Sequence, residues 1–262
     1  MYIIDFHCHA YPDTIAPKAA ASIREFYHLG DDSMDGRVQT LLEHGTKAGV
    51  DKFVLQPVAL RPTNTRHIND FILGELAKEP RFYGYGTIHA AMQNLCEEVE
   101  YIMNNGLQGL KMHPDSQVFA IDDPRLFPVY DMIGDQLPIL FHMGDRRYDY
   151  SHPARLRKVL ELFPKLQVIG AHFGGYSMYD IAAELLYDKN CYFDISSSLI
   201  FMEEGVAEKY INHYGAERFV YGSDFPMWDP VTEIERFLRL KLTDAQKEQI
   251  AHITAEEILK VK

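Results

Sequence analysis

The sequence is poor in the features that would place it outside the cell, in a bilayer or on a nucleic acid. Its three cysteines, Cys8, Cys96 and Cys191, are an odd number and too few for a disulfide framework, so a reducing compartment is expected. Lys and Arg number 26 against 38 Asp and Glu, giving a net charge of −12. That balance leaves no basic face for phosphates or anionic lipids. No apolar run approaches the roughly 20 residues that a membrane-spanning helix requires. The opening, MYIIDFHCHA, lacks the basic start and small-residue cleavage site of a signal peptide. Tryptophan occurs once, at Trp228. A cytoplasmic protein with no nucleic-acid or membrane partner is the expectation.

What the sequence does have is alternation. Short β-rich apolar runs fall at residues 2–7, 52–58, 82–88, 107–112, 137–142, 166–171, 190–195 and 217–222. Amphipathic helical patterns fill 37–48, 67–78, 91–104, 124–134, 153–163, 178–188, 204–213 and 230–240, and a last helix, 243–260, opens on the cap signal Thr243-Asp244. Eight strands, each followed by a helix, close a parallel barrel, and continuous apolar strands fit burial on both faces. A doubly wound sheet would show a glycine-rich turn after the first strand, whereas this strand ends in His-Cys-His. The expected fold is therefore α/β, a single-domain (β/α)8 TIM barrel over residues 1–262. Residues 10–36 form a long insertion after strand 1, whose middle, 16–27, has helical character. It either covers a site at the barrel mouth or decorates the surface.

Histidine is the compositional excess, with 12 copies. His28, His44, His213 and His252 sit in loops or near helix ends, where cationic residues are simply comfortable. His7 and His9 are different: side chains two apart on a strand point the same way, so both imidazoles face the mouth while Cys8 packs away from it. One His-x-His is weak, but His142, His172 and Asp224 fall at the ends of three more strands. A buried set of neutral rings without a ligand leaves nitrogens unpaired, at about 1–3 kcal/mol each. A site built on these residues is expected.

The segments DFHCHA, GLKMHPD, LPILFHMGD, VIGAHFGG, NCYFDIS and YGSDFP, in that order, resemble the amidohydrolase superfamily over essentially the whole chain. The resemblance is to the amidohydrolase-related branch that also contains aminocarboxymuconate-semialdehyde decarboxylase. It implies a metal-dependent enzyme in which His7, His9, His142 and Asp224 hold a divalent metal, Zn2+ first and Mn2+ as the alternative. It also implies catalytic roles for His172, as acid or base beside the metal, and for Asp224, as acceptor of a proton from bound water. The activity it implies is a metal-dependent hydrolase that activates a metal-bound water against a small carboxylated ester, lactone or amide. Two alternatives stand beside it: nonoxidative decarboxylation or hydration of a small unsaturated acid, and a non-catalytic metal or ligand sensor. Evolved CO2 separates the decarboxylase from the hydrolase, and turnover lost on chelation removes the sensor.

Candidates for substrate binding are Lys111, His113, Arg146 and Trp228. Lys111 is either a carbamylated bridge between two metals, as in dinuclear amidohydrolases, or a plain cation for a substrate carboxylate. His113 either touches substrate or metal or simply packs. Arg61, Arg66, Arg146 and Arg147 near strand ends suggest an anionic small-molecule substrate, or else pair with Asp145 and Asp149. Trp228 is an aromatic wall or a packed anchor. His89 is a lesser candidate, and Asp194 is read as a structural hydrogen-bonding residue. A homodimer is left open.

Overall fold

In a computed structural model, residues 1–30 and 34–261 are described; positions 31–33 of the insertion and the last residue lie outside. Among the described residues, nine strand segments, all parallel, make the barrel wall: β1 (Ile4–Cys8), β2 (Lys52–Leu55), β3 (Phe82–Gly84), β4 (Gly86–Thr87), β5 (Leu110–Met112), β6 (Ile139–Phe141), β7 (Val168–Gly170), β8 (Tyr192–Asp194) and β9 (Phe219–Val220). They run in two ladders, β1-β2-β3 and β4 through β9. β3 and β4 are halves of one barrel strand broken at Tyr85, whose N–H goes to Leu55 O at 3.0 Å while that of Gly86 goes to Gly109 O at 2.8 Å. Closure is made where the chain beyond β9 meets β1: Phe6 N–H donates to Tyr221 O at 2.8 Å and Asp224 N–H to His7 O at 2.7 Å. The eight strands expected from the apolar runs are all present, and shorter than those runs.

The period of two decides which side chains go where. Phe53, Leu55, Ile139, Phe141 and Phe219 pack outward in the large core against the helices, whereas Val54, Leu140 and Val220 belong to a smaller cluster inside the barrel. Each large apolar side chain so buried contributes about 1.5–3 kcal/mol.

The helices are α1 (Ala16–Tyr27), α2 (Val38–Ala48), α3 (Thr65–Leu76), α4 (Leu95–Asn104), α5 (Pro114–Gln117), α6 (Phe127–Ile133), α7 (Pro153–Leu162), α8 (Tyr179–Leu186), α9 (Val206–Tyr214), α10 (Pro230–Arg239), α11 (Asp244–Glu248) and α12 (Thr254–Leu259). The final helix expected as one piece is interrupted by a π turn at Gln249–Ile253. It opens on a capping box between Thr243 and Gln246. Ala255, Ile258 and Leu259 of α12 join the cluster inside the barrel and close its lower end with apolar side chains. Among the described residues, no helix is long and apolar enough to cross a membrane.

Candidate metal centre and active site

The mouth of the barrel is prepared by an irregularity in β1. Register shifts between Asp5 and Cys8, and His7 N–H turns to the Asp5 carboxylate at 3.3 Å. Phe6 therefore belongs to the interior cluster while its neighbour His7 lines the cavity above it. Bulges re-aim side chains in this way beside functional sites. His7 also needs Gly222 opposite, where an added Cβ would lie 2.7 Å from the His7 Cβ.

Hydrogen bonds fix which nitrogen of each ring is free. His7 Nδ1–H donates to Asp194 Oδ2 at 2.8 Å, and His9 Nδ1–H donates to the carbonyl of Gln56, which only accepts. Both Nε2 atoms therefore carry lone pairs, and they face each other at 3.2 Å. Asp224 Oδ1 lies 3.6 Å from His7 Nε2 and 3.3 Å from His9 Nε2. Three acceptors pointing at one another repel unless a cation joins them. Two imidazole nitrogens and a carboxylate oxygen suit Zn2+ or Mn2+, so His7, His9 and Asp224 fit a divalent metal. Part of the need is met by Lys111, whose buried ammonium donates to His7 Nε2 at 2.9 Å.

Electrostatics agree with this assignment. Burial, helped by Lys111, lowers the His7 pKa to about 4, so the ring is neutral and its lone pair available. Burial pulls Lys111 down to about 8 against the attraction of Asp224 and Asp194, leaving it mainly charged at neutral pH. Burial works against ionised Asp224, but its histidine neighbours outweigh this and hold it below the ordinary carboxylate range. Asp194 behaves likewise, burial being outweighed by His7. Its Oδ1 also accepts from His172 N–H at 2.9 Å and from Ser196 Oγ–H at 2.6 Å. His172, Phe173, Ser197 and Asp224 all have positive φ, between 47° and 59°. Left-handed backbone at four non-glycine residues around one mouth costs about 1–3 kcal/mol each, the kind of strain that concentrates at functional sites.

A second histidine group stands beside the first. His172 Nδ1–H donates to Ser196 O at 3.0 Å, so His172 Nε2 accepts from His142 Nδ1–H, also at 3.0 Å. His142 Nε2 then accepts, and the hydroxyl of Tyr27 lies 3.2 Å away. On the other side of that hydroxyl is His113 Nε2 at 2.7 Å. His113 Nδ1 accepts from Ser116 N–H at 3.3 Å, so Nε2 carries the hydrogen and donates to Tyr27. The His113 and His142 rings are stacked at 3.9 Å and 9°.

Over both groups lies a cavity of about 410 Å3. Its floor is His7, His9, Lys111, His172 and Asp224; its roof is α1, which presents Ala19, Ile23 and Phe26, with Ile15 just before the helix. The insertion thus covers the site.

A family model described as amidohydrolase matches residues 4–261. The chain belongs to the amidohydrolase family. The sequence matches none of the curated proteins. Among solved structures, an uncharacterised TIM-barrel protein from Bordetella bronchiseptica is similar over 99% of each chain, with 22% identity and a TM-score of 0.84. A 2,6-dihydroxybenzoate decarboxylase from Rhizobium is similar over 99% of each chain, at 19% identity and a TM-score of 0.75. A 5-carboxyvanillate decarboxylase from Novosphingobium aromaticivorans, solved with manganese, covers 99% of this chain and 96% of its own at 15% identity and a TM-score of 0.76. At these identities the likenesses establish the barrel fold.

Against this amidohydrolase frame, the residues singled out in the sequence divide clearly. Of the four ligands the resemblance implied, His7, His9 and Asp224 come together. His142 stands beside them, its Nδ1 3.0 Å from His172 Nε2 and its Nε2 3.2 Å from the Tyr27 hydroxyl. Lys111 and His113 line the cavity. Trp228 does not line the cavity; it faces a narrow cleft with Tyr27, His172 and Asp224. It donates from Nε1 to Ser197 Oγ at 2.8 Å, and Ser197 in turn donates to the Asp224 carboxylate. Arg146 is a correction: it is exposed and bonds to Ser177, outside the cavity. Arg147 pairs with Asp145 at 2.6 Å and Arg66 with Glu98 at 2.9 Å, so these two arginines are engaged in ion pairs. His89 accepts from Ala91 N–H at 3.1 Å in its own loop.

Asp194, read from the sequence as a structural hydrogen-bonding residue, bonds to His7 Nδ1–H from the end of β8 and so orients that ring. Two residues of the site were missed in the sequence reading. Lys18 and Tyr27 reach the cavity only through the tertiary placement of α1, and no local pattern marks them.

Proposed function

We propose that this amidohydrolase-family chain is a metal-dependent lyase that removes CO2, without redox chemistry, from a small and mainly apolar carboxylic acid. The observation that carries the reading is the cavity itself, in which the mainly apolar face of α1 lies over Lys111 and the His7/His9/Asp224 group that fits a divalent cation. A carboxylate seated against Lys111 and the His7/His9/Asp224 centre loses its water, and charge that disperses on the way to neutral CO2 is favoured in such a dry site. The sequence put hydrolysis first; two of the similar solved structures are decarboxylases of aromatic acids, which supports the lyase reading instead.

A divalent metal, Mn2+ or Zn2+, held by His7, His9 and Asp224 would supply positive charge at the floor of the cavity. The remaining work falls to the chain. Lys111 binds the departing carboxylate, Ile15, Ile23 and Phe26 hold the apolar body and exclude water, and His172 handles the proton. When the carbon–carbon bond breaks, its electron pair stays on the substrate carbon, a proton fills that position, and CO2 leaves. His172 Nε2 carries no hydrogen of its own and accepts from His142 Nδ1–H; to act it exchanges that bond for a proton drawn from solvent and gives this proton to the vacated carbon.

The test is incubation of metal-loaded protein in D2O with matched sets of aromatic and unsaturated acids, esters, lactones and amides. CO2 release with deuterium on the vacated carbon is expected, abolished by chelation and restored by Mn2+ or Zn2+. Acid release from an ester, lactone or amide without CO2 overturns this reading in favour of the hydrolase. Metal-dependent binding with no turnover of any compound overturns it in favour of a sensor.

A further inference from the structure

We propose that Arg147 is a positioning residue: it pins the last turn of α1 to the barrel wall and so fixes the Phe26 ring in the cavity roof, where it meets the apolar body of the substrate. The case begins at the C-terminal end of α1, where a helix leaves carbonyls without partners of its own. The carbonyls of Arg24 and Glu25 are taken by the N–H groups of Leu29 and His28, at 3.0 and 3.2 Å. The next carbonyl, that of Phe26, is taken from outside the helix, by Arg147 Nη1–H. A guanidinium suits this place twice over, because it donates to the carbonyl and its charge meets the negative end of the helix dipole.

The rest of the same guanidinium is anchored in the wall. Arg147 Nη2–H donates to Asp145 Oδ2 at 2.6 Å and Nε–H to Oδ1 at 3.0 Å, a two-pronged pair. Asp145 is buried, in a loop after β6 that is tied to itself, Gly144 N–H donating to Ser151 O at 3.0 Å. Gly144, at φ +77°, packs so closely on Gly175 that an added Cβ would lie 2.3 Å from the Gly175 Cα. The anchor is therefore rigid, and the end of the helix takes its place from it.

Aromatic rings complete the fastening. The guanidinium carbon lies 4.8 Å from the centre of the Phe26 ring and 5.4 Å from that of Tyr148. These two rings stack at 5.8 Å and 13°, and Phe26 also lines the cavity. An ion pair with one exposed partner ordinarily contributes little. This one differs because Asp145 is buried and one planar fork makes both contacts at once, which the point charge of a lysine does not reproduce. The consequence for substrate rests on the acid-binding reading above; the fastening of α1 does not.

Amide hydrogen exchange and two probe acids, benzoate and acetate, test this on the Mn2+-loaded protein. In Arg147→Ala the amides of His28 and Leu29 are expected to exchange at least about tenfold faster, with those of β1 unchanged. Arg147→Lys, which keeps the charge and loses the fork, is expected to do the same. Benzoate binding is expected to weaken about threefold to tenfold in Arg147→Ala, while acetate, which has no ring to meet Phe26, stays within about twofold. Adding Phe26→Ala to Arg147→Ala is expected to cost benzoate nothing further, since the ring has already lost its place. Unchanged exchange at His28 and Leu29 in both Arg147 variants overturns the proposal, as does a benzoate loss that adds fully to that of Phe26→Ala alone. Faster exchange throughout the chain, with equal losses for both acids, also overturns it, because a general loss of stability then explains everything. If neither acid binds the wild type, the acid-binding reading falls alone, and amide exchange still decides the fastening of α1.

Discussion

His7, His9 and Asp224 stand on or just past strand ends, each braced by groups from the barrel wall, whereas His113 and His142 are bridged by a side chain that α1 delivers from above. The first group is held by covalent neighbours in a rigid closed sheet: Asp194 on β8 orients His7, and Gln56 just past β2 orients His9. The second group depends on a helix 86 residues away in sequence from His113. The wall therefore supplies one group braced by the sheet, and the other is completed by a side chain from the roofing helix α1. Such a division suits an enzyme that must admit substrate and then exclude water.

The comparison breaks most sharply at the wall. His9→Ala or Asp224→Ala is expected to strip the metal and lower turnover at least about a thousandfold, several kcal/mol of barrier, while the fold survives. Metal analysis and circular dichroism check this, and full metal content in both variants would refute the ligand assignment. Asp194→Asn leaves the ligands in place but removes the charge that orients His7, and a loss of about ten- to a hundredfold in metal affinity is expected by competition with a chelator. Gly222→Ala pushes a methyl against the His7 Cβ. A fall of about 1–3 kcal/mol in unfolding free energy together with weaker metal binding is expected from denaturation and chelator titration. On the lid side, Ile23→Ala is expected to raise KM about three- to tenfold with metal content unchanged, the scale of one lost apolar contact. The smallest effect is expected at the rim, where Arg146→Ala should leave steady-state KM within about twofold, since this exposed residue bonds, among the described residues, to Ser177 outside the cavity.

Much of the wall was legible in the sequence. The eight apolar runs mark the eight barrel strands, residues 16–27 form the helix that the insertion's composition suggested, and the parity of His7 and His9 about Cys8 holds. That parity survives because of a register irregularity which no period of two announces: Phe6 faces the barrel interior and so does its neighbour His7. His142 was legible as a mouth residue but not as the partner of Tyr27, and Arg146 was legible as a charge near a strand end but not as one turned away.

The sequence by itself determined the alternation of strand and helix and the strand ends at which chemistry-bearing side chains stand, because burial on a pleated strand repeats every two residues. Only the tertiary structure decided which of those side chains share a cation, which way each imidazole carries its hydrogen, and that α1 roofs the site. These depend on lone pairs from distant segments meeting within about 3 Å, and that meeting is set by barrel closure and helix placement, which leave no periodic trace in the chain.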